Sequence, residues 1–344
     1  MQSNDLQIDS IPPPAKKILF WLKLAVLSVI LAYITYTLGQ QPANWNRVWQ
    51  HFQQTNWAGS LALGLVLLTP VNWALEALKW KILIRRVEAV SLTEAYQGVL
   101  AGLSLGFALP AQVGDTAGRV LSLRSGRRAE GLGASLVSGG MQFYVALLFG
   151  TAAWLHQLLT VPARDTTAGR LLFGLLTSML LAGLGLVQVR RRLQPADNPR
   201  PWLRQLTTYL QVAGQYTSAE FIRALLVASL RYLTFSLQFY MALRLYGIAL
   251  PVDDMAAGIG LVFLAKTITP AFNLLSDLGV REAASLWVFA PYGVVAPLLL
   301  TATLTLWLVN VLLPVLVGLV WVWRLRWSVD LPFRRSRAAG AEAS

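Results

Sequence analysis

The sequence predicts an all-α polytopic membrane protein, with about six full spans and two re-entrant helical hairpins arranged as an inverted repeat. Three observations carry that expectation. Hydrophobic residues make up 56% of the 344 and charged residues 13%, about half the roughly 25% of a soluble domain. Apolar runs long enough to cross roughly 30 Å of hydrocarbon recur along the chain. Two D-x-x-x-R motifs, each after a Pro-terminated apolar segment, stand at matching places in the two halves.

The elements follow in order. Residues 1–17 are polar, with Pro12-Pro13-Pro14 and Lys16-Lys17, and read as a cytoplasmic tail. Span 1 is Ile18 to Leu38, too long for a signal-peptide core. Residues 40–58 carry Trp45, Trp49 and Trp57 and read as an interfacial outer segment. Span 2, Gly59 to Trp80, ends in Lys79, Lys81, Arg85 and Arg86. Residues 92–110 are apolar and glycine-rich, open on a Ser91-x-x-Glu94 capping box and stop at Pro110. Basic residues flank the 92–118 stretch on both sides, and positive charge favours the cytoplasm. A re-entrant hairpin satisfies both flanks, with its backbone buried in protein or lining a wet cavity.

Span 3 is Leu132 to Leu155, and span 4 is Leu171 to Val189, closed by three arginines. Residues 193–218 suggest a cytoplasmic loop with a surface-lying amphipathic helix. Span 5 is Phe221 to Leu245, and the acidic turn at Asp253-Asp254 offers a helix N-cap. Residues 255–292, interrupted at Pro270, repeat the hairpin pattern from the outer side. The run 294–323 ends in a cluster of arginines. Thus one transmembrane domain spans 18–327, with inverted halves at about 18–158 and 170–323, and 328–344 form a tail. Both termini then lie in the cytoplasm, most of the 29 basic residues lie on that side, and the location is the cytoplasmic (inner) membrane. A plain hydropathy count gives eight spans as the alternative.

Composition also excludes chemistry. No cysteine is present, and His51 and His156 stand far apart. A disulfide framework, thiol catalysis, an iron–sulfur cluster and a cysteine zinc site are therefore excluded, and no metal or other cofactor is expected. The net charge of +13 comes from short basic clusters between apolar runs. That pattern orients a membrane protein and does not make a nucleic-acid surface.

The two motifs are Asp115-x-x-x-Arg119 and Asp277-x-x-x-Arg281. An Asp before a helix is a natural cap, and a residue four further on shares its face. An arginine beside exposed helix N–H groups favours a phosphate. In a second reading each Asp holds its Arg as an i,i+4 pair; in a third the Asp residues only cap and the Arg residues only snorkel. Arg231, Lys266, Glu76 and Lys79 are further charges at membrane depth, where charge is costly and often functional. Glu76 and Lys79, at i,i+3, read as a local pair near an interface. Most of the thirteen tryptophans fall near span ends and read as an aromatic belt.

At the hairpins the chain resembles the flippase-like integral membrane family that includes the transmembrane portion of lysylphosphatidylglycerol synthase. Leu109-Pro110 through Gly114-Asp115 to Arg119, then Arg127-Arg128, is similar to the family's L-P-x-x-x-G-[DE]-x-x-R stretch, with one more residue before the Arg. Pro270 followed by Asp277-Leu278-Gly279-Val280-Arg281-Glu282 is similar to its P…GLGxRE pattern, with Asp277 in place of a Gly. Lys79-Trp80 through Leu83 is similar to its R-W-x-x-L stretch, with Lys79 for Arg. The resemblance covers about 16–327. It implies a lipid-translocating domain that moves an anionic, aminoacylated or polyprenyl-linked lipid, without synthase activity, since only 17 residues follow Trp327.

The expected substrate-binding residues are Asp115, Arg119, Asp277, Arg281, Glu282, Arg231 and Lys266, with Pro110, Gly114, Pro270 and Gly279 shaping the hairpins. No catalytic residue is assigned. The expected partner is a membrane lipid with a phosphate head group, and an envelope-lipid synthesis enzyme is a second partner class. An integral membrane glycosyltransferase, with Asp115 or Glu282 as base, competes with this reading. It lacks a D-x-D-like metal site and a sizeable extramembrane domain. An accessory subunit of an envelope complex is the third reading and leaves the repeated buried charges unexplained.

Overall fold

The computed structural model describes residues 58–108, 113–124, 127–189, 212–269 and 279–324, with 35, 36 and 50. Span 1 apart from 35 and 36, the 193–211 loop, Pro110, Pro270, Asp277 and both tails lie outside the described residues. Ten α-helices and no strand occur among the described residues. They are α1 Ala58–Ile84, α2 Leu92–Ala108, α3 Val113–Leu121, α4 Arg128–Thr160, α5 Thr167–Val189, α6 Ser218–Leu245, α7 Val252–Ile268, α8 Val280–Phe289, α9 Ala296–Trp307 and α10 Leu313–Arg324. A π turn, Leu308–Leu312, joins the last two. Pro314 follows it, and a proline ring clashes with the carbonyl four residues back, so the chain widens there instead of breaking.

Four segments are long and apolar enough to span: Ala58–Ile84, Glu130–Thr160, Thr167–Val189 and Ala296–Val322. The 28-residue α6, expected as span 5, is not one of them. It carries Glu220, Arg223, Arg231 and Arg244 and packs against α1, α4, α7 and α9. One face of α6 packs inside and carries Gln238, while Ile222, Leu226, Leu230, Leu233 and Leu237 are exposed on the other. By contrast, α5 packs mainly on α4 and turns most of its leucines outward.

Helices α1 and α6 run antiparallel. Tyr216 Oη donates to the Leu83 carbonyl (2.8 Å), Arg86 Nη2 to Glu220 Oε2 (2.6 Å), and Gln238 Nε2 to the Leu65 carbonyl (2.9 Å) and Thr69 Oγ1 (3.0 Å). The α6 start is a full capping box between Thr217 and Glu220.

Helices α2 and α3 are joined backbone to backbone. Gly98, Gly102 and Gly106 recur every fourth residue of α2; Gly102 and Gly106 face Gly118 and Gly114 of α3, and Gly98 faces Ser122. A Cβ on Gly118 would lie 2.5 Å from Gly102 Cα, and one on Gly114 would strike the Leu105 carbonyl. Small residues at fourth positions allow such approach. The two open ends of this pair meet: the Arg124 N–H donates to Glu88 Oε1 (3.3 Å) and Arg127 Nη1 to the Val87 carbonyl (3.0 Å). The expected capping box at Ser91 and Glu94 is present, with bonds of 2.8 and 3.2 Å.

Helices α7 and α8 also pack together, and their open ends meet where Tyr292 Oη donates to Asp254 Oδ1 (3.1 Å). Asp253 and Asp254 lie in the first turn of α7 behind an N-cap at Pro251, so they do not cap it as expected. Asp254 instead bonds His156 of α4 at 2.9 Å. Burial and the Asp254 carboxylate push the Tyr292 phenol up to about 12.

The two helix pairs open at opposite ends of α4, one beside Arg127 and the other beside His156. At 33 residues, α4 is roughly 50 Å long, more than the roughly 30 Å hydrocarbon core. Each pair packs on a long helix distant from it in sequence. Helix α7 lies on α4, with Gly150 against Leu264; α2 lies on α10, where Ser104 Oγ donates to the Val315 carbonyl (2.8 Å) and Gly318 sits against the Leu100 carbonyl.

Candidate functional site

Glu76 is the centre of the buried charge. It points inward from the middle of α1 on a polar stripe with Thr69, Asn72 and Lys79, all buried. Its Oε1 accepts from Arg119 Nη1 at 2.6 Å, and its Oε2 lies 2.9 Å from Lys79 Nζ and 3.1 Å from Arg231 Nε. One carboxylate therefore faces three cations from α1, α3 and α6. Asp115 supplies the second carboxylate, accepting from Arg119 Nε at 3.0 Å and from Nη2 at 2.9 and 2.7 Å. This fork-to-carboxylate geometry is the strongest ion-pair form available to arginine.

Helix periodicity sets these positions. Asp115 lies within the first turn of α3 rather than before it, so it is not the cap. The i,i+4 spacing puts Arg119 on the same face, against α1. Arg119 is 5% exposed, and its guanidinium carbon stands 5.8 Å from the Trp80 ring centroid. Trp80 is 1% exposed, and Trp73 and Trp154 are buried as well. These three tryptophans are core residues, contrary to the belt expectation.

Helix α4 completes the wall. Lys79 Nζ donates to the Ser138 carbonyl (3.4 Å), and Arg231 Nη1 donates to Gln142 Oε1 (3.2 Å). On the far side, the Phe235 ring lies 5.0 Å from the Arg231 guanidinium carbon and 5.8 Å from Lys266 Nζ. Cations over a ring face are attracted by its quadrupole. Three cations against two carboxylates leave the cluster of Glu76, Lys79, Asp115, Arg119 and Arg231 one positive charge in excess.

Arg281 and Glu282 stand apart, in the first turn of α8. Gly279, at φ 96°, turns the chain into this helix, and its N–H donates to Glu282 Oε2 (2.6 Å). A positive φ of this size favours glycine. Arg281 is 2% exposed, and its Nε lies 3.9 Å from Glu282 Oε1. Among the described residues no hydrogen bond or ion pair links Arg281 to the Glu76 cluster. Gly114, buried in α3, serves the close α2–α3 approach.

The sequence reading thus named Asp115, Arg119, Arg231 and Lys266, which the structure gathers around α1 and Phe235. It missed Glu76 as the centre and Gln142 as a partner. A family model described as the lysylphosphatidylglycerol synthase transmembrane region matches residues 20–318. The chain belongs to that family. A search of curated proteins finds no match to the chain. Membership, together with four helices able to cross a bilayer, makes this an integral membrane protein.

Proposed function

We propose that this member of the lysylphosphatidylglycerol synthase transmembrane family is a lipid flippase. It moves an anionic, aminoacylated or polyprenyl-linked lipid across the cytoplasmic membrane, and it has no catalytic activity of its own. The observation that carries this reading is the cationic cluster of Glu76, Lys79, Asp115, Arg119 and Arg231 inside a helical membrane domain. Charge at that depth is expensive, and a net positive interior suits an anionic head group that must leave water. Lys266, Arg281 and Glu282 extend this polar interior. Both termini lie in the cytoplasm, and an envelope-lipid synthesis enzyme supplies or consumes the lipid.

An inverted repeat with two re-entrant hairpins is the architecture of this reading. In support, α2–α3 and α7–α8 each close on themselves and open at opposite ends of α4. A constant offset of 162 positions relates Asp115 and Arg119 to Asp277 and Arg281. The same offset, applied with the halves exchanged, turns the Glu76–Arg231 contact into the Gln238–Thr69 contact. Transporters of this plan hold substrate between their repeats.

Two experiments test it. In proteoliposomes, quenchable head-group-labelled anionic lipids should change leaflet with the wild type and stop with Arg119→Ala or Arg281→Ala in folded protein. No movement of any labelled lipid by correctly oriented wild type would reject transport. For the topology, single cysteines at Glu88 and Arg124 should both label from the cytoplasmic side. Labelling from opposite sides would make 92–118 a full span.

A further inference from the structure

The repeat-related arginines have different surroundings. Arg119 spends Nε, Nη1 and Nη2 on Asp115 and Glu76. Arg281 is at least as deeply buried, yet its Nε and Nη2 have no hydrogen-bond partner among the described residues. At 3.9 Å the Glu282 oxygen is beyond hydrogen-bond reach. One turn further along the same face, the Ser285 hydroxyl is fully buried and also without a partner among the described residues, as is Glu282 Oε1. The repeat position of Glu76 is held in the second half by Gln238, a neutral amide already donating to Leu65 and Thr69. Among the described residues, Arg119 thus has a hydrogen-bonded carboxylate in Glu76, whereas Arg281 has only the Glu282 oxygen at 3.9 Å.

Buried donors on a charged fork are costly unless acceptors arrive from elsewhere. We propose that Arg281, with the Ser285 hydroxyl, is the cation that takes the phosphate of the substrate, and that Arg119 is an internal counter-charge that never touches it. The ligand is a phosphodiester monoanion. Its negative charge matches one guanidinium, and the free Glu282 oxygen accepts from a hydroxyl or ammonium beyond the phosphate. The inference rests on the flippase reading and assigns the head group within it to one of two similar motifs.

Thermal unfolding of the purified chain in maltoside micelles, followed by tryptophan fluorescence, tests this apart from transport. The probes are phosphatidylglycerol, diacylglycerol as the phosphate-free lipid, and glycerophosphoglycerol as the soluble phosphodiester. Phosphatidylglycerol should raise the wild-type Tm and diacylglycerol should not. A matching rise with glycerophosphoglycerol would mean that the phosphodiester alone suffices, and no rise would mean that the acyl chains hold the lipid there; either fits the Arg281 assignment. Arg281→Lys keeps the charge but loses the fork, and should weaken the response roughly tenfold. Arg281→Gln should abolish it while the lipid-free Tm equals or exceeds that of wild type, because buried guanidinium donors without hydrogen-bond partners are gone. Arg119→Lys should lower the lipid-free Tm, because Asp115 and Glu76 lose their fork, and Gly140→Val should keep the wild-type response. A wild-type lipid response in Arg281→Gln, or a lipid-free Tm lowered by that substitution, would overturn the proposal and make Arg281 a structural partner of Glu282. Wild type that binds phosphatidylglycerol through Arg281 but scrambles nothing would remove transport and leave this assignment standing.

Discussion

Glu76→Gln should be among the most damaging single substitutions in the protein. The change is isosteric, so packing is kept and only the charge is lost. Lys79, Arg119 and Arg231 would then share no carboxylate, and Arg119 alone would retain one in Asp115. Removing one partner of a buried ion pair costs about 3–5 kcal/mol, because the other charge stays buried. Here two cations, Lys79 and Arg231, are left in that state, and Lys79 is 1% exposed. Against a total stability of about 5–15 kcal/mol for a typical protein, the loss should appear as a large fall in Tm. Adding Lys79→Met to Glu76→Gln should restore part of that stability, and the double-mutant cycle should give a coupling well above the few tenths expected of independent sites. A loss below about 1 kcal/mol would mean that water reaches the cluster and screens it.

Much of the helix content was legible because its signals are local. Apolar runs gave α1, α4 and α5, and the Ser91–Glu94 box gave the start of α2. Basic residues on both flanks of 92–118 indicated that its ends belong together, and the Glu88–Arg124 and Val87–Arg127 bonds join those ends. The centre of the charge cluster was not legible. Glu76 and Lys79 form a complete i,i+3 pair in sequence, and nothing local signals that Arg119, 43 residues on, takes the other oxygen. Trp80 looked like a belt residue because it stands at an apparent span end. In fact α1 continues to Ile84, and Trp80 packs inside, near Arg119. Likewise the glycines of α2 were visible as composition. Their meaning needs the second stripe on α3, which only the folded pair brings opposite.

Gly118→Val should open that pair and scatter the site with it. The space is closed by backbone: a Cβ at 118 would lie 2.5 Å from Gly102 Cα and 2.6 Å from Gly102 N. A side chain could swing aside, but a helix backbone cannot, so α3 must move off α2. Overpacking of this kind costs about 1–3 kcal/mol. Here the shift also reaches the chemistry, because Asp115 and Arg119 ride on α3 and lie beside Gly102 themselves. A displacement near 1 Å would take Arg119 Nη1 out of bonding range of Glu76 and add part of the ion-pair cost. The expected result is a lowered Tm and lost lipid movement together. Gly140→Val is the control. It lies in α4, where a Cβ meets nothing within 4 Å, and it should leave both nearly unchanged. If Gly118→Val behaved like Gly140→Val, the α2–α3 contact would be dispensable, and the position of Arg119 would have to come from Glu76 and Asp115 alone. Comparing it with Glu76→Gln then separates the two supports: the glycine stripe sets where the arginine stands, and the carboxylates set what it costs to keep it there.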